Sequence, residues 1–111
     1  MNYVKSCLII TMLLGFGYSE CNESNWEEYY PNMGGCDLFG ANLSWANLEG
    51  ADLYQANLNY ATLSYANLSL ANLEGANLMW VILEGAIFSL TNLCNLAGSA
   101  INYCDQPEGI T

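Results

Sequence analysis

The chain has 111 residues and a formal charge of -10, with eleven acidic side chains, one basic residue and no histidine. Neutralising phosphates on nucleic acid or on an anionic membrane surface takes clustered lysine and arginine, so both partners are disfavoured on charge alone. A hydrophobic content of 53% with 13% aromatic residues belongs to a chain that folds, and the length allows one domain.

Residues 1–19 read as a secretory signal peptide. Lys5 gives a weakly positive start, Cys7 to Phe16 form an apolar stretch, and Gly17 and Ser19 offer small residues for cleavage before Glu20. The stretch is shorter than the roughly 20 apolar residues of a membrane span, which argues against a retained anchor. Glu20 is the wrong neighbour for lipid attachment at Cys21. Processing sends the mature chain out of the cytoplasm, secreted or periplasmic, with no membrane contact after cleavage. Cys21, Cys36, Cys94 and Cys104 remain, an even number in an oxidising compartment, so disulfides are expected, with three connectivities open.

Residues 20–35 carry Trp26, Tyr29, Tyr30, Pro31 and Met33 and end in Gly34-Gly35, a pair that permits a sharp change of direction. From Cys36 the chain becomes periodic. Read in fives it runs CDLFG, ANLSW, ANLEG, ADLYQ, ANLNY, ATLSY, ANLSL, ANLEG, ANLMW, VILEG, AIFSL, TNLCN, twelve units over residues 36–95 without a gap. The third position is Leu in eleven units and Phe88 in the other, the first is Ala in nine, and the second is Asn or Asp in nine. A five-residue apolar period fits neither the 3.6 of an α-helix nor the 2 of a strand, so another regular turn must bring every fifth residue to one interior.

The motif A-[DN]-L-x-x resembles that of the pentapeptide-repeat family. The resemblance implies an all-β fold, a right-handed quadrilateral β-helix with four pentapeptides to a coil and the first and third residues of each unit pointing inward. Twelve units then make about three coils, only about 15 Å tall at the spacing of paired strands. Residues twenty apart should stack, which gives second-position ladders such as Asp37, Asn57, Asn77 and Asp52, Asn72, Asn92, whose amides can bond along the axis. Such regular Asn and Asp residues are structural and not catalytic.

A short solenoid has two open ends that need covering. Residues 20–35 are therefore the N-terminal cap, with Trp26 as its plug. Residues 96–111 are the C-terminal cap or tail, where the pattern fails at Gly98 and Ile101 and Tyr103 can fold back. In the family geometry Cys36 takes an inward slot of the first coil and Cys94 an outward slot of the third, farther apart than the roughly 7 Å between Cα atoms that a disulfide can bridge. Each looks to its own cap, giving Cys21 with Cys36 and Cys94 with Cys104.

Enzymatic chemistry has few candidates, because a general base would have to be a carboxylate or a tyrosine, and Glu49, Glu74 and Glu84 fall on three different faces of the implied coil. No cofactor is implied. The spacing of the Glu20, Glu23, Glu27, Glu28 cluster matches no calcium loop and reads as a solvated face. The family geometry turns the last two residues of each unit outward. That stacks Trp45 on Tyr65, sets Tyr60 against Trp80 on the neighbouring wall, and leaves Phe39 and Met79 close by, a candidate binding surface. The expected function is a non-enzymatic structural or protein-interaction scaffold, with self-association to a homodimer as one use of that surface. The alternative is a carbohydrate-binding module on the aromatic wall. Some family members resemble DNA in shape and charge and inhibit topoisomerases, but three coils and a secretory leader argue against that role here.

Overall fold

The computed structural model describes residues 21–98; the leader, Glu20, Ile101, Tyr103 and Cys104 lie outside that range. From Asn32 onward, residues twenty apart stand side by side. Parallel one-residue bridges join Asn32 to Asp52, Asp37 to Asn57, Asn42 to Thr62 and Asn47 to Asn67, and the same register runs on to Asn77 with Ala97. Units of five on a turn of twenty give four faces. Face 1 stacks residues 36–40, 56–60 and 76–80; face 2 stacks 41–45, 61–65 and 81–85; face 3 stacks 46–50, 66–70 and 86–90; face 4 stacks 31–35, 51–55, 71–75 and 91–95.

One interior unit, residues 56–60, shows how the backbone is satisfied. The Ala56 N–H donates to Leu53 O across the corner, Asn57 N–H to Cys36 O one turn below, and Leu58 and Tyr60 N–H to Asn77 O and Met79 O one turn above, at 2.8–3.0 Å. The remaining donor, Asn59 N–H, is taken by the unit's own Asn57 Oδ1 at 3.2 Å. All five N–H groups thus find acceptors, as a packed chain requires. The second residue is Asn or Asp because its side-chain oxygen accepts the N–H two residues on. The same Asx contact recurs at Asn42, Asn67, Asn72 and Asn92. The remaining amide hydrogens build the expected ladder, Asn57 Nδ2 to Asp37 Oδ1 at 3.0 Å and Asn92 Nδ2 to Asn72 Oδ1 at 2.9 Å.

Every fifth residue from Gly35 to Asn95 is left-handed, with φ between 52° and 70°. It occupies the third position of the four-residue corner turn, where a type II geometry needs positive φ. Inside the coil, the eight leucines from Leu38 to Leu73 at third positions are at most 1% exposed and the first-position alanines pack between them. Burying each such leucine stabilises the fold by roughly 1.5–3 kcal/mol. Thr91 fills one small-residue slot without penalty, because its Oγ1 donates to Leu68 O at 2.7 Å.

The ladder also reaches beyond the twelve units. Residues 31–35 form a further one on face 4, with Met33 fully buried in the third position. The unbranched Met33 side chain fills the space a leucine takes elsewhere. The turn below is cut short, because Asn22 pairs with Asp37, fifteen residues on instead of twenty. A single helical turn, α1 (Trp26–Tyr29), stands in place of the two units that would have continued faces 2 and 3 and leaves a gap between itself and residues 42–47. Trp26 packs half-buried against the core, so Met33 and Trp26 together close this end, not Trp26 alone. At the other end Leu78, Leu83 and Phe88 are only partly buried, and Ile82 and Ile87 stand exposed where lower turns carry Asn or Thr.

Candidate functional site

The solenoid fixes where outward side chains go. Phe39, Trp45, Tyr60, Tyr65, Met79 and Trp80 are all exposed, Trp45 to 73% and Trp80 to 71%. On face 2, Trp45 lies flat on Tyr65, with ring centroids 4.4 Å apart and an interplanar angle of 12°. Tyr65 in turn covers Gly85: a Cβ added there would sit 2.4 Å from the tyrosine ring. The column Trp45, Tyr65, Gly85 thus graduates from an exposed ring to bare backbone, and the lower rings lie flat because the top position is empty. Face 1 differs from the expected pairing of Tyr60 with Trp80. Tyr60 leans instead on Phe39, centroids 5.4 Å apart and tilted by 55°, and no ring contact joins it to Trp80 among the described residues. Phe39 and Tyr60 sit at different positions of their units, so they meet diagonally and tilted instead of stacked face to face.

A groove of about 480 Å³ opens below faces 2 and 3, lined by Trp26, Glu27, Tyr30 and residues 42–47. It exists because the turn beneath is short. Where a complete pentapeptide lies below, second-position N–H and C=O and fourth-position C=O groups bond to it, as Asp52 N–H does to Pro31 O at 2.7 Å and Asp52 O and Tyr54 O do to Met33 and Gly35 N–H at 2.8 Å. On residues 41–47 no lower turn supplies these partners, so Asn42 N–H, Asn42 O, Ser44 O, Asn47 N–H and Asn47 O face the groove side of the ladder unpaired among the described residues. One neighbouring acceptor is filled locally, since the Tyr30 hydroxyl donates to Glu49 O. Sequence reading singled out Trp45 but missed this site. Its signal was the spacing: the chain between Cys21 and Cys36 is one pentapeptide too short for a full turn.

Two sequence-predicted residues at this end are joined, Cys21 and Cys36, by a disulfide with a Cα separation of 4.8 Å across fifteen residues. Cys94 is also disulfide-bonded. Its expected partner, Cys104, lies outside the described residues. The carboxylates do not gather into a catalytic pair: Glu49 accepts from Asn67 Nδ2 at 3.4 Å on face 3 and Glu84 from the Tyr65 hydroxyl at 3.3 Å on face 2. Glu74 stands on face 4. Among the described residues no group of three or more cysteine, aspartate or glutamate side chains is placed to hold a metal ion.

The repeat register can be compared with known proteins. Residues 36–75 and 71–99 match the pentapeptide-repeat family, eight copies in all. Among solved structures, the chain is similar to a pentapeptide repeat protein of the cyanobacterium Cyanothece 51142, at 43% identity over 59% of this chain and 42% of that one, with a TM-score of 0.51. A second, HetL of the cyanobacterium Nostoc sp. strain PCC 7120, a pentapeptide repeat protein involved in heterocyst differentiation regulation, is 32% identical over 56% of this chain and 38% of that one, with a TM-score of 0.32. The chain therefore spans less than half the length of either. No curated protein matches it. With twelve gapless units, a twenty-residue register and a family match across more than half its length, the chain belongs to the pentapeptide-repeat family.

Proposed function

We propose that this protein is a non-enzymatic protein-interaction scaffold that works outside the cytoplasm: a right-handed quadrilateral β-helix of about three coils, capped at both ends, presenting aromatic side chains on a rigid frame. The observation that carries the reading is the exposure of Trp45 and Trp80 on adjacent walls, with Trp45 held flat on Tyr65. A large ring kept in water on a fixed backbone has lost most of its freedom before any partner arrives, so docking on it costs little ordering entropy. The side-chain chemistry supports binding over turnover, because among the described residues the carboxylate beside these rings, Glu84, has no second carboxylate converging on it, with Glu49 and Glu74 on other faces. The leader-like first nineteen residues support the location.

Replacing Trp45 and Trp80 together by serine tests the reading. Both are exposed, so the fold should persist. The double variant is expected to lose self-association seen by light scattering, or capture of a cross-linked partner from the extracytoplasmic fraction; solution mass and capture both equal to the parent's contradict the proposal. A second reading, carbohydrate binding, draws on the flat Trp45 ring, since sugar faces pack on such platforms. Binding of any neutral glycan on an array, lost in the same double variant, is the result that would favour it.

A further inference from the structure

The groove beneath residues 41–47 is an interrupted ladder, and from its geometry we infer that it takes a basic peptide segment of a partner protein, which follows the open edge as one more five-residue unit and the start of the next. The inference rests on the scaffold reading and gives it a docking mode. Each unit that has a complete pentapeptide below it receives the same contacts from it. The neighbour's third and fifth N–H groups donate upward and its first C=O accepts, as Leu38 N–H to Asn57 O, Gly40 N–H to Asn59 O and Asn57 N–H to Cys36 O show at 2.8–2.9 Å. Over residues 41–47 the upper groups of that set are present and the lower ones, donors and acceptors alike, are missing among the described residues: Asn42 O and Ser44 O await two donors, and Asn42 N–H and Asn47 N–H await two acceptors. A backbone laid along the edge in the repeat's own conformation, turned at its fifth residue, supplies this set, a mode related to the way edge strands recruit peptides.

The side chains around the edge narrow the peptide's chemistry. Wherever the ladder amides bond along the axis, the Nδ2 of the upper residue donates to the Oδ1 below, from Asn57 to Asp37 and from Asn72 to Asp52. Asn42 and Asn47 stand at the foot of their ladders, and among the described residues their side-chain amides donate to no ladder residue below. Glu27 lines the groove, Glu23 and Glu28 stand exposed near it in sequence, and the described residues carry no basic side chain. An acidic segment is repelled and a lysine- or arginine-bearing one is attracted. Small residues suit the inward positions, because Leu43, Ala46 and the half-buried Trp26 already occupy the space next to the core.

A direct probe is the acetylated and amidated heptapeptide Ala-Lys-Ala-Ser-Gly-Ala-Lys, titrated into the intact, oxidised protein and followed through backbone amide NMR signals and hydrogen exchange. The expected result is saturable movement of the Asn42, Ser44 and Asn47 signals, with slowed exchange at the Asn42 and Asn47 amides. N-methylation of the peptide at its third and fifth residues should weaken binding at least about tenfold, since two donors are lost. Glu27→Gln should weaken it by about twofold to fivefold and flatten its salt dependence. Equal binding by the N-methylated peptide, no movement at residues 42–47, or movement caused by cellohexaose and not by the peptide would each overturn the inference. The outcome is separable from the scaffold reading: if the peptide fails while the Trp45/Trp80 double variant still loses self-association or capture, the rings bind and the edge does not.

Discussion

The fifth residue of each unit bears the conformational cost of the coil. Left-handed φ costs a non-glycine residue about 1–2 kcal/mol, yet Trp45, Gln55, Tyr60, Tyr65, Leu70, Trp80, Leu90 and Asn95 all adopt it. Two glycines at this position separate strain from contact. Gly50 has φ +69° and open space around its missing Cβ, whereas Gly85 has the same φ with the Tyr65 ring in the way. Gly50→Ala should therefore cost about 1 kcal/mol of unfolding free energy, and Gly85→Ala should cost about 1 kcal/mol more, because the Tyr65 ring and Trp45 upon it must shift. Urea denaturation of the two variants checks this; equal losses would mean that the aromatic column is loosely held. The turn geometry was only half legible in the sequence. Glycines at 40, 50, 75 and 85 mark the position, but tryptophan, tyrosine and leucine at the same place hide it. The Asx role of the second residue was equally hidden, because amide stacking accounts for the same letters.

At the scale of the turn, cover decides how much each buried side chain contributes. Leu58 lies in the middle turn with no exposed surface, while Leu83 occupies the matching third position of the last turn and is only partly buried. Leu58→Ala should cost about 3–5 kcal/mol and Leu83→Ala about half as much, read from chemical denaturation, since a site open to water leaves a smaller cavity. The first turn is held differently. Its short closure joins Cys21 to Cys36, fifteen residues apart, and a loop of that length closed by a disulfide is worth about 3 kcal/mol. A Cys21→Ser, Cys36→Ala double variant should lose about that much stability. An unchanged midpoint would show that α1 and Met33 close the end unaided. The twelve regular units were readable because Leu and Ala recur at the one spacing a four-sided interior accepts. The unit at residues 31–35 was not, since Pro31 and Met33 replace the small residue and the leucine. Fifteen residues of chain do not reveal which part of a turn they omit.

For the whole molecule, the proposed docking mode rests on a ladder that is complete on some faces and interrupted on others. Faces 1 and 4 continue downward through Asn22 and Asn32, while faces 2 and 3 stop at Asn42 and Asn47. The family pattern made the solenoid legible, and the exposed rings followed from its outward positions. The fifteen-residue spacing of Cys21 and Cys36 signals a short turn, but which faces it leaves uncovered could not be read, because that depends on where α1 lies and not on any residue of the repeat. Hydrogen exchange of the free protein, measured residue by residue, tests this account most directly. Amides bonded to a turn below or above, such as Asp52, Asn57, Leu58, Asn67 and Asn72, should exchange slowly as a group, and those of Asn42 and Asn47, at equivalent positions in the repeat, should exchange at least about tenfold faster. Protection at Asn42 and Asn47 equal to that at Asp52 and Asn57 would contradict the open edge and the docking mode built on it.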